Sequence, residues 1–214
     1  MAEMIFYGPV LKDYEVSTIY IGGGTPSWLN EEWIAALLEG IFECFNVKED
    51  AEISIECNPG TLTLNKLLTY RDAGVNRLSI GLQSTNDEEL KLLGRIHTYD
   101  QFVKNYEMAR NVGYKNISVD LMYGLPQQTT EKYLDTVNRI VRLKPDHISA
   151  YSLIVEKGTP FYEKYKFDMV KQEAGMRTEF LPNEDELYEM EKAGQAQLFD
   201  AGYKHCLLYT SPSA

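Results

Sequence analysis

Five apolar runs, each followed by a turn and a helical pattern, constrain this 214-residue chain more than any other feature. They are "TIYIGGG" (18–24), "EISIEC" (52–57), "RLSIGLQS" (77–84), "NISVDLMYG" (116–124) and "HISAYSLIV" (147–155). The intervening segments read as helices. "NEEWIAALLEGIFECF" opens on Asn30 as N-cap, with glutamates in the first turn that suit the helix dipole. "TLNKLLTYRDAG" has Thr63 as cap, Leu64, Leu67 and Leu68 on one face, and Gly74 as a left-handed stop. "DQFVKNYEMARNVG" repeats that design with Asp100 and Gly113. "TTEKYLDTVNRIVRLKP" runs from a Thr cap to Pro145, which forbids further helix. Strand and helix in alternation predict βαβ units and a parallel sheet.

The strands also sort their side chains. Successive residues of a strand point to opposite faces. Ile53, Ile55 and Cys57 oppose Ser54 and Glu56. Leu78, Ile80 and Leu82 oppose Ser79, Gly81 and Gln83. Ile117, Val119 and Leu121 oppose Ser118 and Asp120, and Ser149 shares a face with Tyr151. Parallel strands between two helix layers are usually apolar on both faces. These are apolar on one, which predicts a barrel or partial barrel with a polar interior. An antiparallel sheet solvated on one face alternates too and stays open as a second reading. In a barrel the polar tips lie at the carboxyl ends of the strands, where ligands bind. A buried carboxylate is costly without partners, so Glu56 and Asp120 should have them.

Charge narrows the partners. A net charge of −11 argues against duplex nucleic acid and anionic membranes, which need basic patches. No apolar run is long enough to span a bilayer, and the expected compartment is the cytoplasm. Cys44, Cys57 and Cys206 lack both disulfide-framework and metal-ligand spacing, so no metal ligand is assigned.

"IYIGGGTPSW" joins a strand to a helix, and its glycines let backbone approach a ligand closely. It is neither a Walker loop nor a Rossmann fingerprint. A tight strand-to-helix turn explains it equally well. Glu56, Gln83, Arg95 and Asp120 around one cavity would suit a zwitterion carrying a ribose, with Arg95 as carboxylate clamp. The bland alternatives are a solvated loop charge for Arg95 and an internal ion pair for Glu56. His97, His147 and His205 have no nucleophile in a recognisable arrangement.

"YIGGGTPSWL", "ISIECNPGTLT", "GVNRLSIGLQS", "LGRIHTYDQ", "VDLMYGLPQQT" and "LKPDHISAYSLIVEKGTPFY" together resemble the radical S-adenosylmethionine superfamily. Within it they resemble the branch of HemW-type haem chaperones and oxygen-independent coproporphyrinogen III oxidases, over roughly residues 5–205. "GLQS" and "HISAYSLIVEKGTP" look closer to the chaperones. The resemblance implies an α/β fold, a partial (β/α)6 TIM-like barrel, with bound S-adenosylmethionine, a [4Fe-4S] cluster and, in the chaperones, haem and haem-acceptor proteins. Carried over by position, Gly23, Gly24 and Thr25 match the loop that meets the methionine part of the cofactor. Glu56, Gln83, Arg95 and Asp120 match side chains on its polar groups, and Ile154 matches a backbone contact.

The family holds its cluster with a Cys-x3-Cys-x2-Cys loop after its first barrel strand, and no such run occurs in this sequence. The expectation is a truncated chain without the first strand, the cluster ligands or the C-terminal domain, and without radical activity. Residues 1–155 are expected to form strands two to six of the barrel. Residues 156–205 are expected to form an acidic helical extension, containing a loop and one helix from about Asn183. The stretch 206–214 reads as a non-native tail. Three functions remain open on these grounds: a haem chaperone, a porphyrinogen oxidase, and an unrelated barrel lyase or phosphate-sugar enzyme.

Overall fold

The computed structural model describes residues 2–206, so the expected tail lies outside the described residues except for Cys206. The elements follow in the order α1 (Ala2–Tyr7), β1 (Glu15–Ile21), α2 (Glu31–Cys44), β2 (Asn46–Cys57), α3 (Leu64–Asp72), β3 (Arg77–Gln83) and α4 (Asp87–Leu92). Then come α5 (Tyr99–Val112), β4 (Asn116–Tyr123), α6 (Thr130–Leu143), β5 (His147–Ser152), α7 (Pro160–Glu173) and α8 (Glu184–Asp200).

The strands form one sheet in the order β1-β2-β3-β4-β5. β1 pairs parallel with β2, and β2 with β3. This removes the antiparallel alternative. A doubly wound sheet reverses its strand order at a switch point. Here the spatial order never departs from the chain order, which is the winding of a (β/α) barrel segment. The register sets Ser54 beside Arg77 and Glu56 beside Ser79. Polar residues of equal parity thus lie side by side across the strands.

The chain divides into two compact units. The first comprises residues up to 82, 96–120 and 145–149; the second comprises 83–95, 121–144 and the described residues from 150 onward. In the first, Ile55, Leu78, Ile80, Ile117 and Val119 are buried from the strands, with Leu38, Leu67 and Phe102 from the helices. Each such side chain contributes roughly 1.5–3 kcal/mol when fully buried. In the second, Leu121, Tyr123 and Leu125 are buried along with Tyr133, Val137 and Ile140 of α6.

Several local expectations change. Thr63 caps α3 through Lys66 N–H, but only Leu67 of the three leucines packs inward, and Leu64 and Leu68 are exposed. Asn30 occupies the N-cap of α2, but its side chain makes no capping bond to the first turn. The cap of α5 is Thr98, not Asp100. Thr98 accepts from Gln101 N–H while Gln101 accepts from Thr98 N–H, a reciprocal arrangement that a first-turn Asp100 does not make. Gly74 and Gly113 stand at φ +103° and +105°, as the helix stops require. The extension has two helices. α7 begins on Pro160 behind a Thr159 cap, and α8 begins after Asn183, which with Glu186 forms a capping box. α8 packs on α6 within the second unit: a Cβ on Gly194 would come within 2.6 Å of the Tyr133 ring.

Candidate functional site

The first unit gathers the polar strand ends. Glu56, next to last in β2, has both carboxylate oxygens bound. Tyr20 O–H donates to Oε1 at 2.8 Å and Gly23 N–H donates to Oε2 at 3.3 Å. Burial pushes the Tyr20 phenol up to about 12, and its hydrogen bond to Glu56 adds to the effect. A Cβ at Gly22 would meet the Tyr20 ring at 2.8 Å and the Glu56 carboxylate at 3.0 Å, so the loop needs glycine there. Gly23 and Gly24 adopt φ +84° and +64°. A Cβ on either would meet nothing within 4 Å, so the loop backbone lies open to a ligand. Thr25 follows and its carbonyl accepts from Trp28 N–H at 2.9 Å.

Asp120 lies in the second half of β4, three residues before its last residue. Ser79 Oγ is 3.4 Å from both of its carboxylate oxygens. Burial raises the Asp120 carboxyl above its ordinary value, and the negative charge of Glu56 adds to this. Hydrogen bonds from Ser149 and Ser79 work in the opposite direction. Glu56, the glycine loop and Asp120 therefore form one connected polar group within this unit. Further along the same face Arg77 donates to Ser54 Oγ at 3.2 Å, and Ser118 Oγ lies 2.8 Å from His147 Nδ1. The serine on each of these strands thus serves a charged or titratable neighbour.

The second unit holds the other expected residues. Gln83 ends β3 with its side chain buried, and its Oε1 accepts from Tyr151 O–H at 3.0 Å. Arg95 follows α4, with its N–H bonded to Leu90 O at 2.9 Å. Ile154 lies just past β5 with an exposed side chain. Sequence reasoning passed over Tyr20 and Tyr151 as site residues. Tyr20 has the parity of Thr18 on the polar face of β1, and that shared parity was the available signal.

The donor set suits part of the implied chemistry. Two carboxylates beside an open glycine loop fit a ligand that brings an ammonium group, hydroxyls and a close-packed backbone edge, as S-adenosylmethionine does. A [4Fe-4S] cluster does not fit. Cys57 is buried and bonded to Ile55 O at 3.7 Å, its thiol pushed up to about 12 by burial. Among the described residues no three His, Cys, Asp or Glu side chains form a group that could hold a metal ion. No helix among the described residues is long and apolar enough to cross a membrane.

A singly wound parallel (β/α) sheet with a glycine loop after its first strand defines a partial (β/α) barrel. The family model of the Radical SAM superfamily matches residues 9–140, and the chain belongs to that superfamily. Among curated relatives, the haem chaperone HemW of Escherichia coli K12 is 39% identical over 89% of this chain and 47% of its own length. HemW of Bacillus subtilis 168 is 42% identical over 69% of this chain and 39% of its own length. The chain thus spans about half the length, or less, of these relatives. Among solved structures, coproporphyrinogen III oxidase (HemN) from Escherichia coli matches with a TM-score of 0.80 and 30% identity. That match covers 94% of this chain and 44% of the oxidase. The fold expected from the sequence is therefore the fold observed.

Proposed function

We propose that the chain is the S-adenosylmethionine-binding portion of a HemW-type haem chaperone. The observation that carries this is the first unit's polar group, in which Glu56 borders a glycine loop with unobstructed backbone and Asp120 is joined to it through Ser79 and Tyr20. Glu56, held by Tyr20 and Gly23, accepts hydrogen bonds from the cofactor's ammonium group. Asp120 accepts from the Ser79 and Ser149 hydroxyls, with His147 nearby, and accepts further from ribose hydroxyls. Gly23, Gly24 and Thr25 admit the methionine part. Gln83, Arg95 and Ile154 are assigned to the cofactor by family resemblance, Arg95 as the clamp on its carboxylate. When bound, S-adenosylmethionine supplies an activated sulfonium centre. Haem is cargo in this reading and haem-acceptor proteins are the partners. The net charge of −11 disfavours nucleic acid. The free thiols of Cys44, Cys57 and Cys206 suit a reducing cytoplasm.

The test is calorimetric titration of the chain with S-adenosylhomocysteine, beside Asp120→Ala. The expected result is saturable binding that weakens at least about tenfold in the variant, the loss of one charge-assisted hydrogen bond. Equal heats for both would discard the assignment. Porphyrinogen oxidation is the second reading, favoured by the structural match to the oxidase. The chaperone relatives are 39% and 42% identical, against 30% for the oxidase, and this ranks the chaperone first. A longer protein containing this chain, incubated anaerobically with coproporphyrinogen III and reductant, separates the two. Formation of protoporphyrinogen IX would reverse the ranking.

A further inference from the structure

Tyr20 is the next-to-last residue of β1 and stands on its polar face. It is 57% exposed, yet both its ring and its hydroxyl are engaged. The ring lies against the glycine loop, where a Cβ on Gly22 would come within 2.8 Å of it. The hydroxyl reaches the neighbouring strand. Tyr20 pairs with Ser54, and its O–H donates to Glu56, two residues further along β2, at 2.8 Å. The phenol is pushed up to about 12, first by burial and then by that bond, so it stays protonated and remains a donor at neutral pH. Gly23 N–H donates to the other carboxylate oxygen at 3.3 Å. One oxygen of Glu56 is thus held by a side chain and the other by the loop.

A glutamate side chain loses much rotamer freedom when it is fixed. Where that loss is met on folding, it no longer weakens binding. An ionised carboxylate accepts at about four lone-pair positions. Two bonds fix the plane of the group without exhausting it, and an ammonium donor can be added. A phenylalanine would lie on Gly22 equally well, so packing alone does not call for the hydroxyl.

We infer that Tyr20 is a positioning residue that sets the Glu56 carboxylate at the glycine loop to receive an ammonium group. It acts through Glu56, and it gives the site its preference for a ligand with an amino-acid end over the same nucleoside without one. This rests on the proposed cofactor reading and deepens it, because it names the residue behind that preference.

Calorimetric titrations compare S-adenosylhomocysteine, which carries the ammonium group, with methylthioadenosine, a thioether of the same nucleoside that lacks the amino-acid end. They are run on the chain, Tyr20→Phe, Glu56→Ala and the double variant, and backbone amide NMR spectra are recorded on the ligand-free proteins. Tyr20→Phe should bind S-adenosylhomocysteine about three- to tenfold more weakly and methylthioadenosine as the parent does. In the Glu56→Ala background the tyrosine substitution should cause no further loss, because both act through one carboxylate. In the ligand-free spectra the Gly23 amide signal should move in Tyr20→Phe in the same direction as in Glu56→Ala, since a released carboxylate leaves that N–H. Equal losses for both ligands would mark a structural role and overturn the inference. Unchanged affinities, additive losses or a Gly23 signal indifferent to Tyr20→Phe would overturn it too. A parent chain that binds neither ligand sinks the cofactor reading and the ammonium assignment, and the Gly23 signal then decides by itself whether Tyr20 holds Glu56.

Discussion

Asp168 offers the most demanding test of how the second unit is held together. Its side chain is 97% buried on α7, and its carboxylate accepts three backbone N–H groups. Glu179 N–H donates at 3.0 Å, Phe180 N–H at 2.6 Å and Leu181 N–H at 2.9 Å. Phe180 O in turn accepts from Gln127 N–H at 2.7 Å. Asp168 is thus the clasp for the segment between α7 and α8. Hydrogen bonds to a charged group contribute about 1.5–3 kcal/mol each, so the lower bound for three is about 4.5 kcal/mol. Burying the carboxylate offsets part of this, and the net loss expected for Asp168→Ala is about 3 kcal/mol. At a urea dependence of about 2–3 kcal/mol per molar, the midpoint should fall by about 1–1.5 M. Asp168→Asn keeps one oxygen acceptor and should lose about half as much. Burial pushes the Asp168 carboxyl up, but the bonds from Leu181, Glu179 and Phe180, with Lys171 nearby, outweigh it and hold the carboxyl below its ordinary value. A lowered carboxyl stabilises the fold above its unfolded value of about 3.9, and that contribution disappears as pH falls through the folded value. The gap between parent and Asp168→Ala should therefore be constant from pH 7 to about 5 and close below about 4. Urea titrations across this range, with hydrogen exchange at residues 179–181, make the measurement. An alanine variant with the parent's midpoint and with those three amides still protected refutes the clasp.

Two further outcomes follow from single groups. Asp120→Asn should raise the melting temperature at pH 7 by about 2–4 °C, roughly 1 kcal/mol, because an ionised, largely buried carboxylate no longer burdens the fold. The carboxyl is raised in the folded state, so the advantage should shrink as pH falls toward about 4; melts at two pH values decide, and a pH-independent difference counts against this cause. Tyr70 is wholly buried and its hydroxyl has no hydrogen-bond partner among the described residues, so Tyr70→Phe should stabilise by about 1 kcal/mol in urea unfolding; a destabilised variant would reveal a partner for that oxygen.

The polar strand ends were legible because a strand sorts side chains by parity before any tertiary contact exists. Glu56, Ser79 and Asp120 came together in the first unit on that rule alone. What lay beyond it depended on reach and context. Tyr20 reads as another aromatic, and its role depends on a hydroxyl that spans to the next strand. β2 begins at Asn46, six residues before the apolar run. Its early part "NVKEDA" is charged, yet Asn46 and Val47 pair with Glu15 and Val16 before a register shift. α7 escaped because its apolar residues do not keep to one face: Tyr165 is buried while Phe167 and Val170 are exposed. The Thr98 cap has a sequence signature, a Thr three residues before a Gln, but Asp100 competed as a capping residue type. The left-handed backbone of Gln83 has no sequence signature, since glutamine does not favour it.

Two aspartates of this chain show how a structural carboxylate differs from one kept for a ligand. Asp168 receives three backbone N–H groups and lies 3.9 Å from Lys171, and its carboxyl is lowered. Asp120 receives the Ser79 hydroxyl at 3.4 Å and that of Ser149, feels the like charge of Glu56, and its carboxyl is raised. A fold that required only burial of a polar strand end would be better served by serine, as at Ser79 and Ser118, than by a second carboxylate beside Glu56. Retaining Asp120 makes physical sense if a cationic or hydroxyl-bearing ligand completes its hydrogen bonds. On that argument ligand binding should lower the Asp120 carboxyl toward its ordinary value, so the bound protein should take up fewer protons on acidification than the free protein.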